Sequence, residues 1–159
     1  MTADVHSPQP FGPAQDFDEN LAAARWANLL SQYTGRASDK ALGLTAMRYL
    51  ATPAIALSRR VQVGGLLLAD DEIARPAPHI VIVGAKSDST ADKLFRLALA
   101  IPTSYKRIEW YDASEGPLLN MDVNYPKLPK PAGFVCTGNA CSSPAFTTDV
   151  MLRRLQRVR

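Results

Sequence analysis

Cys136 and Cys141 bracket the turn-forming run Thr-Gly-Asn-Ala, and the chain has no other thiols. A Gly-Asn turn can bring such a pair within the roughly 4.4–6.8 Å between Cα atoms that a disulfide spans. The pair reads in three ways: structural or incidental thiols, a reversible dithiol, or part of a metal site. Zinc needs about four ligands. The histidines are His6, near the N-terminus, and His79, at a strand start, so no metal is expected. A reactive thiolate needs a cation or a helix N-terminus beside it. Neither is adjacent in sequence, and the two-residue spacing of thioredoxin chemistry is absent.

The run Gly84-Ala-Lys-Ser-Asp-Ser-Thr follows a strand pattern and leads into a helix pattern. Free N–H groups at such a helix start can hold phosphate, which makes Gly84, Lys86, Ser87 and Ser89 a weak anion candidate. It has one glycine where a dinucleotide fingerprint needs three, so an ordinary turn is the plainer reading and no cofactor is implied. Asp70, Asp71 and Glu72 are adjacent on a helix pattern. Their side chains diverge, which reads as a solvated face. Glu109 and Asp112 close the second strand pattern. Ligands of open α/β sheets bind beyond the carboxyl ends of strands, so these are the better carboxylates for chemistry. His6 and His79 offer no defensible Ser-His-Asp or Cys-His arrangement, and no complete active site is expected.

The elements that must position these residues divide the chain into a flexible leader (1–15), a helical hairpin segment (16–75) and a small Rossmann-like α/β segment (76–159). Asp16 can cap a helix over 16–33, with Glu19 in a capping-box position. Ala22, Trp26, Leu29, Leu30 and Tyr33 define its apolar face, and Gly35 stops it. Ser38 can cap a second helix, striped by Leu42, Ala46, Tyr49 and Leu50 and ended by Pro53. So short a connection makes an αα-hairpin. A third, shorter helix covers 66–74, although a strand can also hold its leucine run. The β-branched run 79–83 is continuous, as in a strand covered on both faces. Ser87 or Asp88 caps a helix to about Ala100, with Leu94, Leu97, Ala98 and Ile101 on one face. A strand over 106–111 completes a right-handed parallel β-α-β unit. The proline-rich stretch 112–131 is long for a loop and should be functional, docked or disordered. A short strand over 133–136 precedes a final basic helix capped by Thr147 or Thr148. The fold class is mixed α/β: αα-hairpins, then a three-layer-type β-α-β-β unit with parallel strands.

With 159 residues and 47% hydrophobic content, the chain can bury a core without metals or staples. A formal net charge of +3 is too small to argue for nucleic acid or membrane. Arg153, Arg154, Arg157 and Arg159 suit the C-terminal end of a helix dipole, with a nucleic-acid or acidic-partner contact as the sharper alternative. No stretch approaches the roughly 20 apolar residues of a membrane span. The first 13 residues do not form a secretory signal, and two cysteines point to a reducing cytoplasm.

Several segments, in order, resemble a known family: Asp18-Glu-Asn-Leu-Ala, Ala27-Asn-Leu-Leu, Tyr33-Thr-Gly, Ala46-Met-Arg-Tyr-Leu-Ala, Gly64-Gly-Leu-Leu-Leu-Ala-Asp and His79-Ile-Val-Ile-Val-Gly. Lys106-Arg-Ile-Glu-Trp, Glu115-Gly-Pro-Leu, Tyr125-Pro, Phe134-Val-Cys-Thr and Cys141-Ser-Ser-Pro continue the order. The chain resembles the C-terminal portion of large bacterial thioredoxin-domain proteins related to spermatogenesis-associated protein. Those carry a thioredoxin-like domain and a six-hairpin α/α toroid of the glycosidase and sugar-epimerase type. The resemblance implies that the hairpins here are the last part of an incomplete toroid and the α/β unit its tail. The thioredoxin domain, its CxxC motif and the first hairpins are not in this chain, so no catalytic residue carries over. The implied function is an accessory or interaction module whose partner is the missing toroid portion or a second copy. A redox dithiol module centred on Cys136 and Cys141, or a fragment of a carbohydrate-active enzyme, are the alternatives.

Overall fold

A computed structural model describes residues 16–58, 63–138 and 140–157. His6, Arg159 and the leader over 1–15 lie outside the described residues. Helix α1 (Phe17–Thr34) begins where the sequence predicts: the Asp16 carboxylate accepts the backbone N–H groups of Asp18 and Glu19. It ends at Gly35, whose φ of 68° gives the left-handed cap that glycine tolerates best. Helix α2 (Ala37–Leu50) follows at once, but Arg36, without a side-chain cap bond, occupies the cap position assigned to Ser38.

The face that α1 buries is not the aromatic one. Ala24, Ala27, Asn28 and Ser31 are buried, whereas Trp26 is 61% exposed and Leu42 on α2 is 54% exposed. The cause is how closely the helices approach. A Cβ on Gly43 would lie 3.1 Å from the Ala24 carbonyl oxygen and 3.2 Å from the Asn28 nitrogen. Small residues therefore form the seam, and the large ones are displaced to its flanks. Pro53 ends α2 as predicted, and it also opens a short helix, α3 (Pro53–Ser58). Proline suits a first helical position because that N–H has no intrahelical partner. The leucine run is helical: α4 (Gly64–Ala74) packs on α1 and α2 through Ala69, with Leu66 and Ile73 against the same core.

The sheet comprises β1 (His79–Val83), β2 (Arg107–Tyr111), β3 (Ala132–Thr137) and β4 (Ala140–Cys141), in the order β2-β1-β3-β4. Strand β1 is parallel to β2, as the β-α-β pattern predicts. The expectation of parallel strands stops there: β3 runs antiparallel to β1 and pairs with β4 as a hairpin. The proline-rich stretch between β2 and β3 contains no helix, and it returns the chain in the opposite direction. The architecture is thus α/β with a mixed sheet.

Strand alternation sends Ile80 and Ile82 to one face, where they meet Leu94 and Ala98 of α5 (Ser89–Leu99) and Met151 and Leu155 of α6 (Thr148–Leu155). Asp88 caps α5 and Thr147 caps α6. On the opposite face Ala132, Phe134 and Cys136 pack beneath Tyr125, Leu128 and Phe146. The stretch 112–131 is therefore docked. The Asn120 side-chain amide donates to the Gln32 carbonyl, and the ring of Tyr125 lies 5.4 Å from that of Phe134. The Tyr33 hydroxyl accepts from Ile108 N–H at 2.8 Å, satisfying a backbone donor of edge strand β2.

Candidate functional site

Cys136 lies near the end of β3, and Cys141 ends β4 directly opposite. Gly138 takes the left-handed φ of 57° between them, as a two-residue hairpin connection requires. Ser142 N–H donates to the Val135 carbonyl at 2.9 Å, so the neighbouring pair Cys136–Cys141 is of the closely approaching, non-hydrogen-bonded kind. Their Cα atoms are 3.9 Å apart and their sulfurs are bonded. The two cysteines differ in exposure. Cys136 is 3% exposed beneath the sheet's polar corner, while Cys141 is exposed.

Cys141 faces an open groove of about 510 Å³ lined with Ser142, Ser143, Arg154 and Arg157. Arg154 donates to the Ser142 hydroxyl at 3.3 Å and the Ser143 hydroxyl at 2.9 Å. Among the described residues, no carboxylate pairs with Arg154 or Arg157. The cation that local sequence does not place beside the cysteines thus arrives from α6. Arg154 is on the last turn of α6, and Arg157 lies just past its C-terminal cap at Gln156.

On the buried side, Cys136 is the register partner of His79 on β1, which is in turn the partner of Arg107 on β2. A cavity of about 270 Å³ lies there, and Gln32, Lys40, His79, Arg107, Asp122 and Cys136 contribute to its lining. Arg107 is 2% exposed. It reaches Glu109 at 2.6 Å, Asp122 at 2.6 Å and the Asn120 carbonyl at 2.8 Å. His79 Nε2 is 2.7 Å from the same Glu109 oxygen. Glu109 is therefore mid-strand, partly buried and committed to two cationic-capable neighbours, not a free carboxylate at a strand end. The chemistry this corner supports is structural: a buried arginine is tolerated because its charge is paired and hydrogen-bonded.

Asp112 joins a different network. It accepts Lys86 N–H at 2.8 Å, Ser114 N–H at 3.0 Å and the Ser114 hydroxyl at 2.7 Å. These donors, led by Lys86 N–H, hold its carboxyl below the usual range. The structure does not bring Glu109 and Asp112 into one site. The turn at Gly84 is likewise occupied by the chain itself. Asp88 takes the N–H groups of Thr90 and Ala91, Asp112 takes that of Lys86, and the Lys86 ammonium pairs with Glu115 at 2.5 Å. Ser87 is exposed and Ser89 opens α5. Gly84 has a local reason to be glycine: at φ 151° a Cβ would lie 2.8 Å from that of Pro131.

The acidic run also differs from a uniformly solvated face. Asp70 and Asp71 are exposed, but Glu72 is buried and forms a two-pronged pair with Arg25, both bonds at 2.7 Å. Tyr105 seals this corner, donating to the Glu72 carbonyl and accepting from Asn28 and Gln32. Among the described residues no group of three or more His, Cys, Asp or Glu could hold a metal ion. Comparison with known protein families, with curated proteins and with solved structures finds no match to this chain.

Proposed function

We infer that this chain is a redox-responsive module in which Cys136 and Cys141 cycle between disulfide and dithiol. The observation that carries this reading is the unequal exposure of the two bonded cysteines. A thiolate from solution meets Cys141 first, and Cys136 is the leaving group. The arginines beside Cys141 support it, since a cationic neighbour favours a thiolate. No helix among the described residues is long and apolar enough to cross a membrane. With a cytoplasmic location, also proposed here, the link would be transient or sensory, as cytosolic disulfides usually are. Treating the protein with a limiting amount of glutathione and mapping the adduct by mass spectrometry tests this. The adduct is expected on Cys141; exclusive modification of Cys136 contradicts the assignment.

A second reading is the accessory or interaction module that the family resemblance implies, with the absent toroid portion or another copy as partner. Trp26, Leu42, Leu57, Leu67 and Leu68 on the helical layer are 45–74% exposed, and exposed apolar patches mark interfaces. Sedimentation velocity is expected to show concentration-dependent association. A monomer at every concentration, with no binding of an apolar dye, counts against self-association. The carbohydrate-enzyme alternative has less support, because Glu109 and Asp112 are each held in separate hydrogen-bonded networks.

A further inference from the structure

We propose that the groove over Cys141 selects a small thiol bearing carboxylates, of the γ-glutamyl tripeptide class, as the reductant of the Cys136–Cys141 bond. The proposal rests on the reversible-disulfide reading and adds to it the substrate class. Three observations meet in the groove. The more accessible cysteine, Cys141, is exposed and lines it. Arg154 and Arg157 line the same groove, with no carboxylate partner among the described residues. The Ser142 and Ser143 hydroxyls, which accept from Arg154, orient its guanidinium beside Cys141. A guanidinium presents a planar fork that fits a carboxylate through two hydrogen bonds. A ligand docked by its carboxylates would therefore hold its thiol near the sulfur that can be reached.

The reaction balances with two equivalents of that thiol. The first thiolate attacks Cys141 Sγ, the bond to Cys136 breaks, and Cys136 leaves with the electron pair. A second thiolate attacks the small-molecule sulfur of the mixed disulfide, releasing Cys141. The products are the protein dithiol and the disulfide of the small thiol. The two protons of the incoming thiols end on the two cysteines. The protein bond is reduced and the small thiol is oxidised.

Reduction rates with glutathione, mercaptoethanol and cysteamine, each normalised to its rate on an unstructured reference disulfide, test the selection. At low salt the anionic thiol is expected to exceed the cationic one by about tenfold, from two charge pairs at an accessible surface. The ratio should collapse toward one at about 1 M salt, where screening reaches about 3 Å. Arg157→Gln and Arg154→Gln should each lower it, whereas Arg153→Gln, outside the groove lining, should leave it unchanged. Arg157→Gln guards against a folding artefact, since only Arg154 anchors the serine hydroxyls. Equal normalised rates in the unaltered protein would overturn the selection and leave the reversible disulfide standing. A bond that no thiol reduces, dithiothreitol included, would end both.

Discussion

At the scale of single residues, buried polar groups behave according to their partners. The Arg107 guanidinium meets Glu109, Asp122 and the Asn120 carbonyl, and its Cζ lies 5.9 Å from the centre of the Tyr33 ring. Arg107 Nε nonetheless has no hydrogen-bond partner, and neither has the buried Tyr125 hydroxyl. Burial, reinforced by the Asp122 charge, pushes its ionisation well above the usual tyrosine range. Tyr125→Phe keeps the ring contacts with Tyr111 and Phe134 and removes the unsatisfied oxygen. Chemical denaturation is expected to show a gain of about 1 kcal/mol. The pH dependence has a definite sign. The folded hydroxyl titrates above the unfolded value of about 10, so the unfolded chain ionises first as pH rises. The native protein therefore loses stability above about pH 10 through this group, and the phenylalanine variant lacks that loss.

At the scale of elements, most helix caps and the strand positions were legible, whereas the α2 cap, the direction of β3 and the packing partners were not. Asp16, Asp88 and Thr147 accept helix N–H groups in the expected positions, and the β-branched run at Ile80–Ile82 is the buried centre of the sheet. Trp26 misled because periodicity alone ranks residues by apolarity, whereas the α1–α2 seam selects them by size. Gly43 tests this directly. Alanine normally favours a helix over glycine by about 1 kcal/mol, but here its Cβ would meet two backbone atoms of α1 that cannot turn aside. Gly43→Ala is expected to lower stability by about 1–2 kcal/mol in thermal or denaturant unfolding. A stabilised variant would show that the seam has slack.

At the scale of the whole molecule, the stretch 112–131 connects the layers. It supplies Asn120 to α1, Asp122 to Arg107 and Tyr125 to the underside of β3. Its prolines announced a long connection, but nothing local specified where it docks, and docking is what reverses β3. The candidate site was half legible for the same reason. The cysteine pair could be read from its turn, while Arg154, Arg157, His79 and Arg107 come from elements distant in sequence. The molecule thus places one sulfur in a basic groove and the other against a buried ion-pair corner. Equilibration in glutathione redox buffers, followed by acid quenching and alkylation of free thiols, tests whether that arrangement is a working redox couple. The expected midpoint lies within the cytosolic range, about −220 to −320 mV. A link that persists at the most reducing poise, or thiols that never join, would contradict it.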